Sequence, residues 1–169
     1  QPMSWMMKTS LSIALTVLVL FGSATATTHH VPLADRLIGA WEGDGELFGR
    51  DASFRMTWEW VLEHSFLELT FQNGMRSAEG VTPVLAAQAF YKPVEGNRCE
   101  GTWFDTRGVV QPLNGQLDAN SLTVHWGSPQ TEEGRTIYRF VHDDSLEVED
   151  YVQKAGEWHR FGHATYHRS

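Results

Sequence analysis

The sequence holds a single cysteine, Cys99, among 169 residues, so no internal disulfide can form. Folding must rest on packing rather than on covalent staples. A lone thiol in such a chain is more often a buried small hydrophobe than a reactive group. Basic residues are also few: 13 Lys and Arg stand against 21 Asp and Glu, a formal net charge of −8. A surface of that sign gives no electrostatic basis for binding nucleic acid or an anionic membrane. Beyond Gly39 no segment sustains a helical period over several turns. The marks of several enzyme classes are missing too. There is no Gly-x-Ser-x-Gly for a hydrolase, and Cys99 has no histidine near it in sequence. No His-x-His or His-Glu-x-x-His falls in the strand-like segments, and His163 and His167 on one strand face are about 13 Å apart. No metal site is therefore expected.

What is present begins with Lys8, an apolar run from Leu11 to Phe21, and small residues ending in Ala24-Thr25-Ala26. A positive residue, an apolar core and an Ala-x-Ala site describe a secretory signal peptide over residues 1–26. The run falls short of the roughly 20 residues needed to cross a bilayer as a helix; an uncleaved anchor is the alternative. The expectation is a periplasmic or secreted protein, cut after Ala26 and then free of the membrane. Residues 27–32, TTHHVP, read as a flexible leader, and residues 33–169 as one domain with a real core.

Within that domain Leu33 and Leu37 mark one helical turn, and short alternating runs follow. In ASFRMTWEW, Phe54, Met56, Trp58 and Trp60 share one strand face, with Arg55, Thr57 and Glu59 on the other. FLELTF leads to Asn73-Gly74, which reads as a hairpin turn. LDANSLTVHWG puts Leu122, Val124 and Trp126 on one face and His125 opposite. The runs GRTIYRFV and LEVEDYV flank the acidic turn HDDS. About nine or ten strands at short, even spacing describe an antiparallel meander. Closing it into a barrel buries one face and removes both edges. The expected fold is all-β, a closed barrel preceded by a short helical turn; a two-sheet sandwich is the alternative.

The stretch GAWEGDGELFG then reads as the first full strand, with Trp41, Gly43, Gly45 and Leu47 inward and Glu42, Asp44 and Glu46 in water. A phosphate loop needs a following helix, and a calcium loop needs a different acid spacing. Gly39, Trp41, Gly43 and Gly45, with the later Gly-Thr-Trp-Phe-Asp at 101–105 and the closing Tyr166-His167-Arg168, resemble the lipocalin-like (calycin) superfamily. The likeness is nearest to bacterial proteins of the DUF1579 type and to nitrobindin-like barrels. It implies that Trp41 closes the barrel floor, with Arg168 (or Arg160) packed over it. It also implies a small apolar or aromatic ligand, held at the end away from Trp41. Nitrobindin-like barrels carry haem on a histidine near the C-terminus, where this chain has His159 and His163; otherwise no cofactor is expected.

Trp58, Trp60, Trp103 and Trp126 lie in strands and could line a pocket for flat or hydrocarbon molecules, together with Tyr138 and His142. If Tyr138 and His142 point inward beside His125, with Glu59 in reach, the pocket would hold acid and base groups for a cofactor-free isomerase, cyclase or lyase. Either face of RTIYRFVH could be the inner one, because both mix polar and apolar side chains. A third reading is a filled barrel with outward Phe66, Phe104 or Phe161 forming a homodimer patch. Expression in a secreting bacterial host should give a mature chain that begins at Thr27. N-terminal sequencing that finds residues before Ala26 would overturn the proposed cleavage.

Overall fold

The computed structural model of the protein describes residues 32–169. The segment expected as a signal peptide, residues 1–26, and residues 27–31 of the expected leader lie outside the described residues. Pro32 opens a single helical turn, α1 (Pro32–Leu37), where its fixed φ suits the first helical position. Ten strands follow: β1 (Gly39–Leu47), β2 (Arg50–Val61), β3 (Phe66–Ser77), β4 (Gly80–Val94) and β5 (Arg98–Asp105). The second half comprises β6 (Val110–Leu117), β7 (Ser121–Gly127), β8 (Glu133–His142), β9 (Ser145–Lys154) and β10 (Glu157–Arg168). Each strand pairs antiparallel with its sequence neighbours, and β1 pairs with β10, so the sheet closes into a barrel with the topology of a lipocalin-like fold.

Period-two alternation sets the inside from the outside. On β1, Trp41, Gly43 and Leu47 are buried while Glu42, Asp44 and Glu46 are exposed; on β2, Ala52, Phe54, Met56 and Trp58 are buried. Each fully buried large side chain contributes about 1.5–3 kcal/mol over an exposed one. Asn73-Gly74, expected as a turn, is instead a break in the β3–β4 register inside a longer strand, and the turn lies at Ala78-Glu79. At Gly74 a Cβ would stand 2.6 Å from Val81 and 2.8 Å from the Thr82 carbonyl, so glycine here serves the close approach of β4.

Up-and-down topology separates the connections into two sets. The β2–β3, β4–β5, β6–β7 and β8–β9 turns surround one end together with α1, and the other five surround the opposite end. The α1 end is plugged. Leu33 and Leu37 are buried there, and the Trp41 indole N–H donates to the Leu37 carbonyl at 2.8 Å. Arg168 donates to the carbonyls of Ile38 and Arg36, both at 2.6 Å, with its guanidinium 4.3 Å from the centroid of the Trp41 ring. These donors satisfy carbonyls that the end of a helix leaves without partners. The Trp60 indole adds a bond to Asp35 at 3.1 Å, and Arg36 covers the Phe140 ring at 4.1 Å.

Trp41→Ala should cost about 3–5 kcal/mol, the range for a buried tryptophan, in urea unfolding. Glu42→Gln and Asp44→Asn break only exposed ion pairs, with Arg55 and Arg76. Each should change stability by less than about 1 kcal/mol, and a larger loss in the same unfolding series would contradict the outward placement.

Candidate functional site

Above the plug the aromatic layers thin out and a cavity of about 610 Å3 opens toward the five connections of the far end. A barrel with this volume is not filled by its own side chains, and the size suits a small organic molecule. Trp103, Trp126, Phe71, Phe161, Leu113 and Val124 form much of its wall. Trp126 faces Gly134 across the β7–β8 pair, and its indole occupies the space that a Cβ at Gly134 would take. The glycine thus lets the large ring lie against the barrel wall. Phe48, 67% exposed in the left-handed turn between β1 and β2, stacks on Phe161 at the mouth with centroids 5.3 Å apart.

Polar groups gather deeper. Asp150 of β9 shares the inward face with Leu146, Val148 and Val152. Its Oδ1 accepts a 2.6 Å hydrogen bond from the Thr136 hydroxyl on β8. Its Oδ2 lies beside Gly162 of β10, where a Cβ would come within 3.0 Å, so glycine makes room for the carboxylate. Burial pushes the Asp150 carboxyl up to about 6, against the lowering effect of the Thr136 bond. Tyr138 and Tyr166 line the same region. Burial first, and then the charge of Asp150, raises both phenols well above their ordinary range, so they remain protonated. Tyr91 completes the set, raised by burial and then by Tyr138 and Cys99. Asn73 also lines the cavity, and its buried Oδ1 has no protein donor.

The rim holds a second acid in a contrasting setting. Burial works to raise Asp105, but hydrogen bonds from Arg107 and from the Trp103 indole at 2.9 Å bring it down to about 2. This brace fixes Trp103, one of the cavity's walls, through its only polar atom. The other charged lining groups, Glu132, Lys154, His159 and Arg160, lie in or near the connections of the open end.

Of the residues expected from sequence, Trp103, Trp126 and Tyr138 meet in this cavity. Trp58 is fully buried beneath it, edge-on to Tyr138 and tilted against Tyr91, and so forms the layer under the floor rather than a ligand contact. Trp60 sits lower still and serves the plug through Asp35. His125 is exposed on the outer face, at the edge of Trp158, because Leu122, Val124 and Trp126 take the inner positions of β7. Glu59 is exposed by the same alternation on β2. His142 shares parity with Tyr138, yet a register shift between Phe140 and His142 turns it outward at the plugged end. Glu59 and His125 therefore do not converge with Tyr138, and the acid–base constellation expected from them does not form. Phe161, expected outside, turns into the cavity at a bulge between Arg160 and Gly162. Phe104 is 43% exposed, and Phe66 is half-buried.

Asp150, Thr136, Tyr166 and Asn73 were not among the expected residues. The signal for Asp150 is present in LEVEDYV, as the one acid on a strand face otherwise made of Leu146, Val148 and Val152. The residues do not fit haem: His163 pairs with Glu46 on the outer face, and His159 reaches the cavity only at its exposed rim. Among the described residues no three His, Cys, Asp or Glu side chains gather closely enough to hold a metal ion. Cys99 is buried, and burial drives its thiol up to about 12, which leaves it unreactive. No protein-family model matches the chain, and no curated protein sequence is significantly similar to it.

Asp150 has a sign-specific consequence for stability. Its folded-state value near 6 lies above the unfolded value of 3.8. The folded chain therefore binds the extra proton between those values, and stability falls as pH rises through that window. Asp150→Asn removes the loss. Water reaching the carboxylate through the cavity tempers the effect, so the variant should gain about 1–3 kcal/mol at pH 8 and nothing below about pH 4. Urea unfolding at both pH values reads this directly, and an equal effect at the two would contradict it.

Proposed function

We propose that the protein is an exported lipocalin-like carrier that holds one small, largely apolar or aromatic molecule inside the barrel. On this reading its kin are the DUF1579-type and nitrobindin-like barrels, a kinship supported by Gly39, Trp41, Gly43 and Gly45, with Gly-Thr-Trp-Phe-Asp at 101–105 and the closing Tyr166-His167-Arg168. The observation that carries the reading is the cavity of about 610 Å3, walled by Trp103, Trp126, Phe71 and Phe161 and opening at the end away from Trp41. Two of those walls are held in place by specific devices: the Asp105 bond to Trp103 and the glycine behind Trp126. Rings fixed in this way offer flat apolar surface at little cost in side-chain entropy, which is the condition for binding a rigid hydrophobic body.

A neutral apolar fluorophore, N-phenyl-1-naphthylamine, should bind with one-to-one stoichiometry and a dissociation constant in about the micromolar range. Trp126→Ala should weaken it about fivefold or more while leaving the far-ultraviolet circular dichroism intact. No saturable binding, or an affinity indifferent to Trp126, would overturn the pocket. Native mass spectrometry of the protein purified from its own source, with an absorption spectrum, would identify the resident molecule.

A further inference from the structure

Resting on the pocket reading, we propose that the cavity selects ligands bearing a cationic amine, with Asp150 as the counter-ion and the aromatic walls holding the apolar body. Two inward acids are treated in opposite ways. Asp105 has its own cation, the Arg107 guanidinium, which donates to both carboxylate oxygens. Asp150 has none. Its only protein hydrogen bond is from the neutral Thr136 hydroxyl to Oδ1, and no protein donor reaches Oδ2 among the described residues.

Among the described residues the groups facing Asp150 carry no balancing positive charge. Tyr138 from β8 and Tyr166 from β10 face it, and both are neutral phenols. On the neighbouring positions of its own strand, Glu149 points outward to Arg160 and Arg139. Arg135 of β8 lies on the outer surface between the Tyr151 and Trp158 rings, 4.7 Å from each centroid. The charged lining groups Arg107, Lys154, His159, Arg160 and Glu132 belong to the open end. An acid in a largely apolar cavity without a counter-charge is costly, and the cost falls when a cation is brought to it.

Hydrogen-bonding capacity points the same way. The cavity presents two oxygens that only accept, a carboxylate oxygen of Asp150 and the orphaned Oδ1 of Asn73, beside the phenols of Tyr91, Tyr138 and Tyr166, which accept as well as donate. An ammonium group carries three donors and no acceptor, which matches such a set. The faces of the tyrosine and tryptophan rings add attraction for a cation. A ligand carboxylate would meet Asp150 with like charge, and a neutral alcohol would leave the carboxylate uncompensated.

The test uses three probes with one body: 2-(1-naphthyl)ethylamine, 2-(1-naphthyl)ethanol and 1-naphthylacetate, titrated calorimetrically into the mature protein at pH 7.5. The amine should bind at least about tenfold tighter than the alcohol, with the carboxylate weakest. Asp150→Asn, checked for fold by circular dichroism, should bring the amine and the alcohol within about threefold of each other. Equal binding of the amine and the alcohol to the unmodified protein would overturn the inference while leaving the pocket standing, and so would a gap that survives in Asp150→Asn. Failure of all three probes to bind would remove the pocket and the inference together. The comparison among probes on the unmodified protein decides the matter even if the variant misfolds.

Discussion

The bonds from Trp41 and Arg168 to the last carbonyls of α1 are the interaction on which the rest of the molecule depends. Three consecutive residues, Arg36, Leu37 and Ile38, give up their carbonyls to two side chains that stack on each other. One of those side chains comes from the first strand and the other from the last. The same contact thus seals the barrel floor, orients the helical turn that plugs it, and holds together the two strands that close the sheet. With that end filled, the described residues leave the interior open through the opposite set of connections.

Because the floor is sealed, the environment changes steadily along the barrel axis. Trp41 and Phe140 lie lowest, then Trp58, then the tyrosines and Asp150, then the tryptophan walls and the charged rim. The gradient runs from a fully apolar layer through a layer of polar groups enclosed by protein to water. Asp150 stands where solvation is already poor but protein packing is not yet complete. That position accounts for its upward-shifted carboxyl, whereas Asp105 at the rim is held low by the guanidinium that covers it.

Much of the fold was legible in the sequence. Alternation such as Phe54, Met56, Trp58 assigns residues to a common strand face without knowledge of any partner, and the even spacing of turns points to a meander. Trp41 was legible as an inward residue because Glu42 and Asp44 beside it could only face water. The site was harder for two physical reasons. Alternation says which residues share a face, but in a strand such as RTIYRFVH the inner face is fixed by the neighbouring strands. Bulges then break the parity rule itself, turning His142 out and Phe161 in. Asp150 escaped notice because an acid in LEVEDYV resembles the acids around it, although its place in the alternation sets it apart. Asn73-Gly74 misled in a similar way: a dipeptide suited to a tight turn also suits an irregularity within a long strand.

The order of pairing has a consequence for assembly. Nine of the ten ladders join strands adjacent in sequence, and only β1 with β10 brings distant segments together. The nine local ladders can form by extending hairpins one at a time, at small cost in chain entropy, while the tenth must close a loop spanning nearly the whole domain. Until it does, the molecule is a curved open sheet with two unpaired edges. Tyr166 and Arg168, the floor of the cavity and the clasp over Trp41, ride on that final seam. The container and its bottom therefore both depend on this one non-local seam, and a chain without it has an apolar face and exposed edges but no compartment.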